Sequence, residues 1–536
     1  MTIRKLLVAN RGEIALRVFR ACRELGIGTV AVAPPDDLGS LHARSAGETV
    51  EIKSYLHSEE HIRAAKEAGA DAIHPGYGFL AESPDFAAAV EAAGLVWVGP
   101  PGDALEAGGD KLRAKRIARR AGVPVVREGG PDELGFPLVI KAAAGGGGRG
   151  MRIVREHTEL EQAFAAARRE AKAAFGDDRV FCERYVERPR HVEIQLLGDA
   201  DGVVALGERE CSVQRRHQKV LEESPSVALD DELRSRMSDA AVAFAEAIGY
   251  RSAGTAEFML DGRDFYFLEL NGRIQVEHPV TELVTGVDLV LAQLRIAQGE
   301  TDVATDWHLD GSAVEVRLYA EDPRTFLPQT GTISRLLLPE GIRVDAGVEE
   351  GDEVGTAYDP LIAKLIAHGP TRDEALDRLA AALAETEVEG VVTNLEFLRW
   401  LVDHPALRAG RTTTAFLTEH PPLSAPPLAL PDGPWAGAFR LNLAPPPPAA
   451  PPDPEVASHD HPAGEQSTLT APMPGTVIRL LVREGEKVKP RQPLVVLEAM
   501  KMETPVVSPY EAVVRSVHVS EGDRVAGGQL LVELEE

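Results

Sequence analysis

Residues 138–151 read Leu138-Val139-Ile140-Lys141-Ala142-Ala143-Ala144-Gly145-Gly146-Gly147-Gly148-Arg149-Gly150-Met151. An apolar run that suits a buried strand leads into four consecutive glycines. Glycine has no Cβ, so successive backbone N–H groups can close around an oxyanion without obstruction. The pattern GxxxxGK[ST] occurs nowhere in the chain, so this is not a P-loop. Alone, the run reads equally well as a flexible hinge. Its company downstream decides the matter. Glu257 in GTAEF and Glu269 in FYFLELN each lie in a strand-like run. With Asn271 they offer hard oxygen donors for Mg²⁺. Lys111, Lys141 and Lys219 supply point charges for phosphates.

A glycine lid, strand carboxylates and spaced lysines make an ATP-grasp site. The next segment extends it. Asn271, Arg273, Gln275 and Glu277 alternate along a stretch expected to be extended, and so line one face. Arg273 can grip a small carboxylate-like anion with two hydrogen bonds. Gln275 adds a donor and Glu277 a nearby base. A polar strand facing water is the plainer reading of such a tetrad, and it loses ground because Glu269 adjoins it.

The rest of the chain sets bounds on this site. At 536 residues, three to four domains are expected. Hydrophobic residues at 44% and charged residues at 26% exclude a chain disordered throughout. The net charge of -27 argues against sequence-independent nucleic-acid binding, while leaving room for a local anion site. No apolar stretch is long enough to span a membrane, and the short run Leu6–Ala9 is no signal peptide. Cys22, Cys182 and Cys211 form no CxxC pair, which fits a reducing, cytoplasmic setting. Cys22 falls on the apolar face of an expected helix and reads as core.

The first thirty-three residues read as strand, helix, strand, with Ile14, Val18, Ala21/Cys22 and Leu25 on one helical face and Gly26 ending the helix. A buried parallel sheet follows from that start. Near residue 420 the composition shifts to a Pro/Ala-rich linker, 421–467. Residues 445–467 span about 70 Å if fully extended in the polyproline form. Beyond it, PMPGTVIRLLVREGEKV (472–488) repeats as PYEAVVRSVHVSEGDRV (509–525), at an offset of 37 residues. Val488 matches Val525 and Leu497 matches Leu534. Two copies suit a two-fold sandwich of short antiparallel strands. Between them stands Glu498-Ala499-Met500-Lys501-Met502-Glu503, which puts Lys501 at a hairpin tip.

These motifs carry a resemblance. The Lys501 segment is similar to the biotinyl domain of biotin carboxyl carrier proteins; lipoyl carriers share the architecture but usually lack the Met-Lys-Met frame. LVANRGEIALRVFRA, AIHPGYGFLAE, GGGGRGM, RHVEIQ, RRHQKV, GRIQVEHPVTE and AEDPRTFLP resemble the biotin carboxylase family over roughly residues 1–420. The whole resembles the α subunit of an acyl-CoA carboxylase. The implied fold is α/β: a Rossmann-like N-terminal domain (1–110), an ATP-grasp domain with a glycine-rich lid (111–310), a biotin carboxylase C-terminal domain (311–420), the linker with a short vestige of a docking domain (421–467), and a small all-β biotinyl domain (468–536).

The resemblance implies roles as well. Lys111, Lys141, Lys219 and the lid glycines Gly145, Gly146, Gly147 and Gly148 hold ATP phosphates. His191 and Gln214 join the nucleotide site, and Glu183 meets the adenine end. Glu257, Glu269 and Asn271 hold Mg²⁺ or Mn²⁺. Arg273, Gln275 and the Val276 backbone hold bicarbonate, and Glu277 is the general base. Arg317 stabilises the oxyanion of deprotonated biotin, and Tyr77 lies near that region. The implied reaction is ATP-dependent carboxylation, by way of carboxyphosphate, of biotin carried covalently on Lys501. Implied partners are a separate carboxyltransferase β subunit, a biotin protein ligase and a second copy of the carboxylase part; no nucleic acid or membrane is expected.

Four departures from the family pattern stand out. Ala144 replaces a further glycine, Arg184 a lysine, and Gly272 a common threonine. PWAGAFRLNL (434–443) resembles the start of a β-subunit docking domain, yet proline-rich sequence follows at once. The chain also lacks the length for the carboxyltransferase domain of pyruvate carboxylase. Three rivals are weighed: a subunit of a urea or 2-oxo acid carboxylase; a carrier or scaffold protein with a silent ATP site; and an ATP-grasp ligase joining a carboxylate to an amine with a lipoyl-type tail, against which the Met-Lys-Met frame and the Arg273–Glu277 segment stand.

Overall fold

The computed structural model describes residues 2–535 except 144–150, 216–217, 302, 305, 424–467, 474, 500–501 and 526. Gly145–Gly148, His217, nearly all of the linker and Lys501 lie outside the described residues.

Leu6, Leu7 and Val8 are all buried, as a strand covered on both faces requires. Their strand, Lys5–Val8, is the centre of a five-stranded parallel sheet. The order is Glu48–Glu51, Gly28–Ala33, Lys5–Val8, Ala72–His74, Val96–Trp97. Helix Gly12–Glu24 buries Ile14, Val18, Ala21 and Cys22, the face read from the sequence. Gly26, at φ +69, turns the chain out of the helix. Burial pushes the Cys22 thiol up to about 12, consistent with an inert core residue.

The second sheet has eight antiparallel strands and carries most of the site. In order they are Asp264–Asn271, Ser252–Asp261, Arg190–Gly198, Val203–Arg215, Gln218–Ser224, Ser312–Tyr319, Leu361–Gly369 and Arg343–Ala346. Gln218–Ser224 pairs directly with Ser312–Tyr319. One sheet therefore runs across the division expected at residue 310. Helix Asp231–Ala247 packs Leu233, Met237, Ala241 and Phe244 beneath its first half. Helix Arg372–Glu385 packs Leu376, Leu379 and Leu383 against its second.

A separate three-stranded sheet, Arg152–Val154, Leu138–Ala142, Val180–Arg184, is covered by helix Leu160–Phe175. The glycine run links its first two strands. Its core is small: Leu138, Ile140, Val154, Ala167 and Cys182.

The C-terminal repeat folds as two four-stranded antiparallel sheets. Gly475–Leu480 and its copy Ala512–Val517 lie in opposite sheets, so each sheet draws on both halves. Repeat partners are buried together: Val477 with Val514, Val488 with Val525, Leu494 with Leu531, Leu497 with Leu534. Ala499 pairs with Met502, the last described pair of the ladder between strands Pro493–Ala499 and Met502–Val507. Among the described residues, no helix is long and apolar enough to cross a membrane.

Candidate functional site

Glu257 and Glu269 face each other across the hairpin of Ser252–Asp261 and Asp264–Asn271, in register. Their separation in sequence is thus converted into adjacency. Glu257 Oε1 accepts from Lys219 Nζ at 2.8 Å, Asn271 Nδ2 at 2.8 Å and Gln275 Nε2 at 3.0 Å. His191 Nε2 lies 3.0 Å from its other oxygen. Burial alone would raise the Glu257 pKa; Lys219 and His191 outweigh it and hold the carboxyl well below the ordinary range. Glu269 is more open, 3.7 Å from Lys111 Nζ. Glu257, Glu269 and the Asn271 amide oxygen are hard donors of the kind Mg²⁺ takes. Among the described residues, two groups of acidic, His or Cys donors converge within 4.8 Å: His191, Glu193 and Glu257, and Glu193, Cys211 and Glu277. Glu257 belongs to the first of these and Glu269 to neither.

Lys219 lies at the centre. Its Nζ donates to Glu193 at 2.5 Å, to Glu257 and to Glu277 at 2.7 Å. Burial, which opposes the charge, is overcome by these three carboxylates, so the ammonium is held well above its ordinary pKa. The sequence reading assigns Lys219 to the ATP phosphates; the structure places its ammonium among carboxylates. Its charge is committed to carboxylates that reach it from three different segments.

Glu277 is fully shielded. Burial would raise its pKa, but Lys219, then Arg317 and Arg209, hold it well below the carboxylate range. Arg317 Nη2 donates to Glu277 Oε2 at 3.0 Å and also contacts Glu222. Arg273 lies against Glu82, Nε to Oε2 at 3.1 Å, and donates to Asn271 Oδ1 at 3.0 Å. The segment from Asn271 to Glu277 is not extended throughout. Residues 276–277 form a turn and a helix starts at His278, with Pro279 in its first turn. The four side chains still converge, but by folding of the backbone and not by strand alternation.

Arg209 is the residue that sequence reasoning missed most completely. It is fully buried and all five of its N–H donors are used. They reach Glu193 (2.5 Å), Gln195 (2.6 Å), Thr281 (2.9 Å), Thr255 (3.0 Å) and Gln275 (2.8 Å). Glu82, Glu193 and Glu222 were missed too. The available signal was Glu208-Arg209-Glu210, three charges inside a long strand pattern, all of them buried.

The remaining residues form a second group. His191 Nδ1 meets Gln214 Nε2 at 2.7 Å, bringing those two together as expected. Lys141 Nζ lies 2.7 Å from Glu183 Oε2, and Lys115 contacts the other Glu183 oxygen. The Glu183 carboxyl is therefore turned inward between two lysines. Burial, reinforced by Lys115 and Lys111, pushes the Lys141 ammonium down to about 7. Arg184 points elsewhere, donating to Tyr266 Oη at 3.3 Å. Tyr77 Oη donates to Glu13 Oε1 at 2.5 Å. A Cβ at Gly272 would stand 2.6 Å from Leu105 Cδ2, so glycine here accompanies that leucine. Cys211 is buried and its thiol is pushed far up, first by burial and then by Glu193, as befits a structural residue.

Strand carboxylates around a central lysine, between an eight-stranded antiparallel sheet and a small three-stranded sheet, define an ATP-grasp enzyme. Comparison with known proteins narrows this. Residues 2–105 match the family described as biotin carboxylase, N-terminal domain. Residues 110–303 match the carbamoyl-phosphate synthase L chain ATP binding domain, 315–419 the biotin carboxylase C-terminal domain, and 467–534 the biotin-requiring enzyme family. The chain is 47% identical to the propionyl-CoA carboxylase alpha chain of Ruegeria pomeroyi over 463 residues, covering 78% of this chain and 68% of the relative. It is 46% identical to the biotin carboxylase of Haemophilus influenzae over 439 residues, covering 77% and 98%. The biotin carboxylase domain dimer of Hydrogenobacter thermophilus 2-oxoglutarate carboxylase, solved with MgADP and bicarbonate, superposes with a TM-score of 0.76 at 44% identity, covering 78% and 98%. The chain belongs to the biotin carboxylase family.

Proposed function

We propose that this chain is the α subunit of an acyl-CoA carboxylase, carrying its own biotin on Lys501 and working with a separate carboxyltransferase β subunit. The observation that carries the reading is a combination within one chain. The Glu277 cluster is fused, through a proline-rich linker, to a two-fold β domain whose sequence carries Met500-Lys501-Met502 between the two halves of its repeat. The five units bounded at residues 110, 310, 420 and 467 are part of the same proposal.

The residues divide the work as follows. Glu277, kept ionised by Lys219 and Arg317, takes the proton of bicarbonate as it attacks the γ-phosphate of ATP. Carboxyphosphate forms and ADP leaves. Arg273, Gln275 and the Val276 N–H hold the bicarbonate in line. Lys111 and Lys141 carry charge to the phosphates, His191 and Gln214 border the nucleotide, and the Glu183 carboxylate holds Lys141 in reserve. Glu257, Glu269 and Asn271 would hold Mg²⁺, which neutralises phosphate oxygens when bound. Arg317 offers a guanidinium where negative charge develops on the ureido oxygen. Carboxyphosphate breaks down to CO₂ and phosphate; biotin, when attached, would give its ureido proton to that phosphate and take the CO₂ on the ureido nitrogen. The lid glycines exclude water from the labile intermediate.

A second reading has one supporting observation. The solved 2-oxoglutarate carboxylase domain is 44% identical, so a 2-oxo acid is a rival acceptor. The test is ATP hydrolysis with Mg²⁺ and free biotin, with and without bicarbonate, alongside intact mass. Bicarbonate-dependent hydrolysis and one biotin mass increment, lost in Lys501→Ala, support the reading. Absence of bicarbonate-dependent hydrolysis in protein biotinylated at Lys501 overturns it in favour of a carrier with a silent ATP site. Acyl-CoA or 2-oxo acid carboxylation by the co-purified partner then identifies the acceptor.

A further inference from the structure

Lys364 has no part in the chemistry above, yet its side chain is wholly buried. A buried ammonium is costly unless it is paired and hydrogen-bonded. Its position in the sheet explains what it does. In the antiparallel ladders Lys364 stands opposite Arg317 on one side and Asp345 on the other. Its Nζ donates to the Val276 carbonyl at 2.8 Å. It lies 3.2 Å from Glu13 Oε1 and 3.9 Å from Asp345 Oδ2.

These partners come from three parts of the fold. Glu13 is in the first turn of helix Gly12–Glu24 and also accepts from Tyr77 at 2.5 Å. Val276 is in the turn that precedes helix His278–Thr285. Asp345 is in Arg343–Ala346, where it also pairs with Arg343 at 2.7 Å. The interlock is tight: a Cβ at Gly347 would stand 2.8 Å from the backbone nitrogen of Glu13.

The Val276 carbonyl shares its peptide plane with the N–H of Glu277. Fixing that oxygen fixes where the Glu277 side chain starts. The neighbouring carbonyl, Gln275 O, is held by His278 Nδ1 at 2.8 Å. Both peptides of the turn between Gln275 and Glu277 are therefore anchored from outside the strand they follow.

We propose that Lys364 is a positioning residue. Through the Val276 carbonyl it sets the peptide that carries Glu277, and Glu13, tied to Tyr77, holds the lysine in place. The proposal rests on reading the Arg273–Glu277 segment as the bicarbonate site. It adds a long-range strut from the N-terminal helix and the last strands of the eight-stranded sheet.

The test uses full-length biotinylated protein and steady-state ATP hydrolysis against bicarbonate and against ATP. Lys364→Met removes the donor and the charge at similar volume. The expected result is a rise of about tenfold or more in KM for bicarbonate, with KM for ATP changed less than twofold. Lys364→Arg, which restores charge and donor, should recover most of the loss. A merely structural lysine would alter both KM values together, or neither. An unchanged KM for bicarbonate in folded Lys364→Met overturns the proposal, as does an equal rise in both KM values. Should Lys364→Met not fold, Glu13→Gln decides: it removes the charge beside Lys364 while keeping an amide oxygen for Tyr77, and KM for bicarbonate must rise about threefold or more. No rise there overturns the proposal. A wild-type enzyme without bicarbonate-dependent hydrolysis would instead overturn the reading of the site itself.

Discussion

Lys219 Nζ and Glu277 Oε1 lie 2.7 Å apart, although 58 residues separate them in the chain. The contact joins the strand Gln218–Ser224 to the turn before helix His278–Thr285. It is the largest single reason, once burial is set against it, that Glu277 stays ionised.

Lys219→Met should therefore alter the pH dependence as well as the rate. With Lys219 in place the Glu277 carboxyl is held well below 4.5. Without it, burial drives that pKa upward, and protonation begins at higher pH. The acidic limb of the kcat/KM profile for bicarbonate must move toward neutral pH. The rate at pH 7.5 should fall about 10²–10³-fold. A variant with the wild-type acidic limb would show that Lys219 does not set the state of Glu277.

Arg209 makes a second prediction. Replacing it with Met removes five hydrogen bonds and leaves Glu193 buried beside Lys219 alone. Breaking a buried pair of this kind costs about 3–5 kcal/mol. Arg209→Lys should recover little, because an ammonium has three donors and no planar fork. Chemical denaturation of both variants checks this. Stability restored by Arg209→Lys would mean that charge, and not hydrogen-bond geometry, is what the site needs.

Much of this was legible in the chain. The βαβ start, the helix face of Ile14, Val18 and Cys22, and the repeat that buries Val488 with Val525 are local or periodic patterns, and such patterns survive folding. Glu257, Glu269, Arg273 and Glu277 were legible because they sit within twenty-one residues of one another. Arg209, Glu222 and Lys364 were not. Their importance comes from strand order: Glu222 and Lys364 flank Ser312–Tyr319 on either side, and nothing local announces which strands will be neighbours. The extended reading of Asn271–Glu277 failed for a different reason. Pro279 already signalled a helix start, and that signal outranks alternation over so short a span.

The carrier gives a third prediction. Lys501→Arg should abolish the biotin mass increment and all carboxyl transfer to the fused carrier. Hydrolysis of ATP driven by free biotin and bicarbonate should remain within about twofold of wild type, because the Glu277 cluster is unchanged. Loss of that hydrolysis would tie the two units together more closely than a linker implies. Retention of the mass increment would move the attachment site off Lys501.

Glu222 gives the last prediction. It contacts Arg317 and lies directly across the ladder from Glu315. Two wholly buried carboxyls at facing positions cannot both ionise cheaply. Burial, only partly offset by Arg317 and reinforced by Glu277, pushes Glu222 up to about 7, and burial also holds Glu315 well above its ordinary value. The unfolded reference is 4.5. A group whose folded pKa is raised contributes stability that is fully present below 4.5 and is lost as pH rises through about 7. Glu222→Gln removes that titration and keeps the shape. Groups remote from Glu222 contribute equally to both proteins, so the difference in Tm reports Glu222 together with the partners it faces, Glu315, Arg317 and Glu277. The variant should gain on wild type as pH rises from about 4.5 to about 7 and keep a constant offset from it above that. A difference that is flat with pH, or that falls, would mean that Glu222 is ionised throughout and that Arg317 is neutralised by two full charges, Glu222 and Glu277.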